Sequence, residues 1–124
     1  NGKEVYMQVA DLVEKWGEDL RGDYGYSSIS AVVGATYPEQ LKQIRSFAPH
    51  TFFLIPGYGA QGGNAKDIAL GFDKQGLGGI VNASRSLMCA YKSDRWKSQF
   101  DEIDYAKATR AEALRMKDDL NSVL

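Results

Sequence analysis

Three apolar runs, "ISAVVGA" (29–35), "TFFLI" (51–55) and "IVNA" (80–83), each lead into a polar or glycine-rich loop and then a helical pattern. The runs are continuous rather than alternating, the pattern of strands buried on both faces. Strand–helix alternation calls for parallel pairing with right-handed crossovers. Successive runs start 22 and 29 residues apart, room enough for a strand, a helix and two turns. The class is therefore α/β. Only three strands are visible, and a helix precedes the first. Strands buried on both faces need cover on each side and neighbours at both edges. An incomplete larger α/β fold meets that need better than a free-standing three-stranded sheet.

The helices follow from spacing and from caps. Val5, Val9, Leu12, Val13, Trp16 and Leu20 form one stripe of a helix over residues 4–20. "RGDYGYSS" (21–28) is a glycine-broken loop. Thr36 is expected to cap a second helix, with Glu39 at the reciprocal capping position, Pro38 in the first turn and Pro49 at the end. Leu41, Ile44 and Phe47 give its inner face. Asn64 is the expected cap of a helix over 65–72, and Ser84 that of a short helix to about Tyr91. Gly76, Gly78 and Gly79 break the chain before the third strand. A long helix runs from about Gln99 to the end, with Ile103, Ala106, Ala113, Leu114 and Leu120 as its inner face.

A chain of 124 residues is one domain or part of one. As a free-standing domain it would bury roughly two-thirds of its unfolded surface. A net charge of −1 offers nothing to nucleic acid or to an anionic membrane. No run approaches the about 20 apolar residues of a membrane span, and no secretory signal is expected. One cysteine, Cys89, precludes an internal disulfide and fits a reducing compartment such as the cytoplasm. In its apolar run Cys89 reads as packing. The chain begins at Asn1, and Met7 lies inside a helical pattern, so upstream sequence is expected.

The most distinctive loop is "PGYGAQGG" (56–63), where Gly57, Gly59 and Gly62 spell G-x-G-x-x-G. It follows a parallel strand, on the side where α/β proteins bind ligands. Two readings stay open for it alone. Glycines can bring bare N–H groups close to a phosphate, or can serve a turn that needs positive φ. A dinucleotide fingerprint also needs an acid at the end of the next strand, and that strand ends at Asn82-Ala83. Asp73 comes too early, and Pro56 is expected to interrupt the strand where a tight turn belongs. A second loop, "NASRS" (82–86), follows the next strand. There Arg85 can fork onto phosphate oxygens, with the N–H groups of Ser84 and Arg85, or can be a solvated surface arginine. Gln61 can donate to phosphate or bridge to a base carbonyl. Two adjacent strand-end loops with anion chemistry match the phosphate site of (β/α)8 barrels, formed after strands 7 and 8. The three strands would then be strands 6 to 8, and residues 99–124 would include the closing helix.

Three blocks, "VVGATYPEQL" (32–41), "FLIPGYGAQGG" (53–63) and "GGIVNASR" (78–85), make the chain resemble orotidine 5′-phosphate decarboxylase, in its bacterial branch with longer loops. The resemblance covers essentially the whole chain but only the carboxyl-terminal half of that family's TIM barrel. It implies decarboxylation of orotidine 5′-monophosphate to UMP without metal or cofactor, by a homodimer with active sites near the subunit interface. It implies that Gln61 and Gly62 belong to the substrate site, Gln61 touching the 5′-phosphate and reaching toward the pyrimidine. Arg85 would clamp the phosphate with the N–H groups of Ser84 and Arg85, and Pro56 and Gly57 would line the pocket near the base.

The family's D-x-K-x-x-D motif, whose lysine protonates the carbanion at C6, is absent here. "FDKQG" (72–76) and "AKD" (65–67) lack its spacing, and Asp101, Glu102 and Asp104 read as a solvated helix face. His50, the one histidine, sits at a helix–strand junction and reads as structural. No catalytic residue and no metal ligand is therefore assigned, and this part alone is expected to be inactive without the amino-terminal half of the barrel. The alternatives are a non-catalytic phosphate- or nucleotide-binding α/β module, or another phosphosugar-binding barrel enzyme.

Overall fold

The computed structural model describes residues 2–59 and 63–124. In it the three apolar runs pair as one parallel sheet, in the order β1 (Ser30–Val32), β2 (Phe52–Pro56), β3 (Gly79–Asn82). Five α-helices accompany them among the described residues: α1 (Val5–Trp16), α2 (Pro38–Phe47), α3 (Ala65–Ala69), α4 (Ser84–Met88) and α5 (Tyr105–Asn121). Each β–α–β step joins neighbouring strands, as parallel pairing requires.

The two faces of the sheet differ, because side chains alternate along a strand. Phe53 and Ile55 point to one face and are fully buried, packing with Leu41 of α2 and Ile68 of α3. Val32, Leu54 and Ile80 face the other way and lie in register across all three strands. They are 71%, 39% and 57% exposed. Burial on both faces, expected from the continuous runs, is thus met on one face only. The described helices cover a single side, so the second apolar row has no partner among the described residues.

α1 departs from expectation in the same way. Met7 and Ala10 are buried, whereas Val5, Val9, Leu12, Trp16 and Leu20 of the predicted stripe are exposed. α1 rests on α2, and an apolar groove of about 500 Å³ separates it from β1. Val9, Val13, Val33, Leu41 and Phe53 line that groove. The stripe is apolar, but α1 reaches the core only through its flank.

α2 begins later than expected. Thr36 is not its cap: Tyr37 holds that position without a side-chain bond, and its carbonyl accepts from Leu41 N–H at 3.1 Å. Pro38 causes this. Its fixed φ suits the first helical turn, and its ring drives the preceding residue out of the helical region. Ser84 likewise is not the cap of α4 but its first residue. β3 runs to Asn82, which leaves Ala83 alone for the turn. Asn64 does cap α3, its Oδ1 accepting from Asp67 N–H at 2.9 Å. α3 itself stops at Ala69.

α5 turns a different face inward. Ala108, Glu112 and Met116, four residues apart, are buried, with Leu120 and Val123 partly so. Ile103, Ala106, Ala113 and Leu114 are exposed. Ala108 is small enough to let α5 approach α4, and Thr109 Oγ1 donates to the Leu87 carbonyl at 2.7 Å. A buried glutamate is not read as an inner residue from hydropathy. It is tolerated here because it is paired. Cys89 is half-buried rather than fully packed.

The amino-terminal end of the sheet is tied by Arg45. Its buried guanidinium donates to the carbonyls of Gly71, Ala48, Thr51 and Gly78 at 2.8–3.1 Å. It also lies 3.6 Å over the Phe53 ring. One side chain therefore joins α2 to the chain segments entering β2 and β3. At the same end Asp73 accepts the Tyr26 hydroxyl and the N–H groups of Gln75 and Leu77. His50 is held by Gly25, its Nδ1 2.8 Å from that carbonyl.

Candidate functional site

The site sits at the carboxyl ends of β2 and β3. β2 runs through Pro56, which lies opposite Asn82 of β3. Pro56 therefore closes the strand rather than interrupting it, because a final strand residue can do without a donor. β3 still ends without an acid, so the dinucleotide fingerprint lacks its ribose partner.

After Pro56 the chain turns sharply. Gly57 has φ 101°, a region closed to side chains. Gly59 N–H donates to the Gly63 carbonyl at 3.0 Å, and Tyr58 bridges to Gly63. The loop thus folds back on its own base. A Cβ on Gly63 would stand 3.0 Å from the Gly57 carbonyl oxygen, so the close approach depends on its absence.

A cavity of about 250 Å³ opens between this loop and the β3–α4 turn. Four of the six residues singled out in the sequence line it: Pro56, Gly57, Ser84 and Arg85. The other two, Gln61 and Gly62, lie outside the described residues. Arg85 is exposed, and its guanidinium makes no hydrogen bond or ion pair with another described residue. The Asn82 amide lies 3.4 Å from Ser84 Oγ. Ser86 Oγ, on the same cavity, is buried without a partner among the described residues. Such groups are uncommon in folded proteins. Neither Asn82 nor Ser86 stands out as a site residue in the sequence, because each reads as ordinary strand-end or helix-start chemistry.

Tyr58, also on this cavity, is the larger omission of the sequence reading. It is buried, and its hydroxyl donates to Asp119 of α5. Arg115 Nη2 lies 3.4 Å from the same oxygen. Arg115 forks onto Glu112 at 2.7 and 3.0 Å, and Glu112 also accepts Trp96 Nε1 at 2.8 Å. The hydrogen bond from Arg115 holds the Glu112 carboxyl below the usual range; burial opposes this, and Trp96 adds to it. Burial and the Asp119 carboxylate push the Tyr58 phenol up. These partners lie 38 or more positions from Tyr58 along the chain. No local spacing announces them.

Electrostatically, the cavity is suited to an anion. Arg85 supplies a planar fork matched to phosphate oxygens. The first N–H groups of α4 lack intrahelical acceptors. Among the described residues no group of three or more histidine, cysteine or acidic side chains could hold a metal ion. No helix among them is long and apolar enough to cross a membrane.

No family model matches the chain. Among curated proteins it is 41% identical over 120 residues to orotidine 5′-phosphate decarboxylase of Rhodopirellula baltica, covering 97% of this chain and 40% of that protein. It is 45% identical over 120 residues to the protein of that name from Clostridium tetani, with the same coverage. Among solved structures, UMP synthase of Leishmania donovani superposes with a TM-score of 0.72 at 30% identity. That match covers 99% of this chain and 23% of the other. The chain therefore spans about 40% of the length of the curated relatives it matches. The three-stranded parallel sheet and its helices are part of a (β/α)8 barrel. The resemblance carried by the three sequence blocks extends across the whole chain.

Proposed function

We propose that this chain is the carboxyl-terminal part of an orotidine 5′-phosphate decarboxylase, in which residues 1–124 supply strands six to eight of one barrel domain and the phosphate half of the active site. The substrate is orotidine 5′-monophosphate, and the products are UMP and CO2. Arg85 clamps the 5′-phosphate, joined by the N–H groups of Ser84 and Arg85. Gln61 and Gly62 reach it from the glycine loop, Gln61 extending toward the pyrimidine. Pro56 and Gly57 line the pocket near the base. Proton transfer to C6 belongs to a lysine and carboxylates of the amino-terminal half, so residues 1–124 alone do not turn over substrate.

The observation that carries this assignment is the cavity shared by the two strand-end loops, with Arg85 on its wall and no competing carboxylate among the described lining residues. Phosphate held there is remote from the reacting carbon. Its binding energy can be used at the pyrimidine, lowering the barrier rather than only tightening the complex. The bare row of Val32, Leu54 and Ile80 is where the interior side chains of the remaining strands would pack. The enzyme is further taken to act as a homodimer in the cytoplasm.

The test is decarboxylation of orotidine 5′-monophosphate by the full-length protein, followed as UMP formation without added metal. Turnover well above the uncatalysed blank is expected, and none from residues 1–124 alone. A folded full-length protein that leaves the substrate intact would overturn the assignment.

A further inference from the structure

The glycine loop is held from outside the sheet, by a polar chain running across α5. Tyr58 is 4% exposed and stands directly after the positive-φ residue Gly57. Its ring is the wall between two cavities. One is the 250 Å³ cavity that carries Arg85. The other, about 610 Å³, lies between the loop and α5 and carries Arg115 and Asp119. Arg115 is committed on its own side: Nε and Nη2 fork onto Glu112, Nη1 lies 3.9 Å from Asp119, and the guanidinium is 5.8 Å from the Tyr58 ring centroid. Arg115, facing two carboxylates, has no free fork for an anion, and Lys66 is the other cation among the described residues of this cavity. Arg115 is a brace.

The brace bears on the part of the loop that matters for binding. Tyr58 bridges to Gly63, and Gly59 donates to Gly63, so the described loop residues 57–59 and 63 are tied to one another at Tyr58 and its neighbour. Wherever Tyr58 sits, those residues sit. A loop ordered before the ligand arrives does not spend binding energy on becoming ordered.

We infer that Tyr58, held by Asp119 and by the Arg115–Glu112–Trp96 chain, is a positioning residue for phosphate binding: it preorganises the glycine loop without touching the phosphate. This rests on the proposed phosphate site. The same loop lines the pocket near the base through Pro56 and Gly57, but its phosphate contacts are the larger share, so loss of the brace weighs most on a phosphorylated substrate.

The experiment compares orotidine 5′-monophosphate with the phosphate-free nucleoside orotidine, using full-length wild type, Tyr58→Phe, Arg115→Met and Arg85→Ala. Tyr58→Phe removes a single oxygen, and its melting temperature is measured alongside. Loss of a hydrogen bond to a charged partner sets the scale. In Tyr58→Phe, kcat/KM for the phosphorylated substrate falls about tenfold, mostly through KM, while kcat/KM for orotidine falls by no more than about threefold. Arg115→Met goes the same way. If Arg115→Met fails to fold, Tyr58→Phe decides alone. An equal loss on both substrates, or no loss on either, overturns the brace while leaving the phosphate site standing. If Arg85→Ala itself keeps the full preference for the phosphorylated substrate, the phosphate site falls, and the brace with it.

Discussion

At the amino-terminal end of the sheet, Arg45 is buried, and four of its five N–H groups are spent on backbone carbonyls. At the carboxyl-terminal end, Arg85 is exposed, and its guanidinium meets no described partner. The two arginines stand at opposite ends of the same parallel strands. One end closes the fold, with loops stitched by a cation and by the Tyr26–Asp73 pair. The other leaves a cation and glycine backbone facing a cavity. In barrels of this kind the amino-terminal face serves stability and the carboxyl-terminal face serves chemistry. The difference between Arg45 and Arg85 is that division at the level of single side chains.

Substitution breaks the comparison most forcefully. Arg45→Met should cost about 3–5 kcal/mol, because buried carbonyls lose a charged donor that no water can replace. Arg85→Ala should change stability by no more than about 0.5 kcal/mol, as an exposed side chain without a hydrogen bond or ion pair to another described residue. Denaturant unfolding of the full-length protein measures both. Comparable losses at the two positions would erase the distinction between the ends.

A smaller effect sharpens it with pH. Tyr26 is pushed up to about 12, by burial first and by Asp73 next. Its contribution is complete below the ordinary phenol value and is lost as pH rises from about 10 toward about 12. Glu112, paired with Arg115 on α5, is shifted the other way. Its contribution is present above the ordinary carboxylate range and is lost as pH falls through its lowered value. Tyr26→Phe should therefore flatten the alkaline loss of stability, and Glu112→Gln the acid loss. Melting temperatures across pH check this, and unchanged limbs in both variants would contradict it.

Much of this architecture is legible in the sequence, and the exceptions have physical causes. The three strands and the Asn64 cap follow from local pattern, which propensity and hydrogen-bonding chemistry fix within a few residues. Pro56, Gly57, Ser84 and Arg85 could be drawn to one place because both loops follow neighbouring parallel strands. The caps at Thr36 and Ser84 fail by a single residue, since a proline and a strand end decide the start instead. The inner faces of α1 and α5 fail because hydropathy says which side chains are apolar, not which are covered. Val9 and Trp16 are apolar and bare, whereas Glu112 is charged and buried. Arg45 and Tyr58 are the deeper omissions. Their roles depend on partners up to 33 and 61 positions away, brought close only by the fold.

The most direct measurement of the central claim is calorimetric titration of the full-length protein, wild type and Arg85→Ala, with UMP and with uridine. Arg85 should contribute through the phosphate alone. The account predicts that Arg85→Ala weakens UMP binding by roughly tenfold to a hundredfold and leaves uridine binding unchanged. Wild-type affinity for UMP in Arg85→Ala would contradict it.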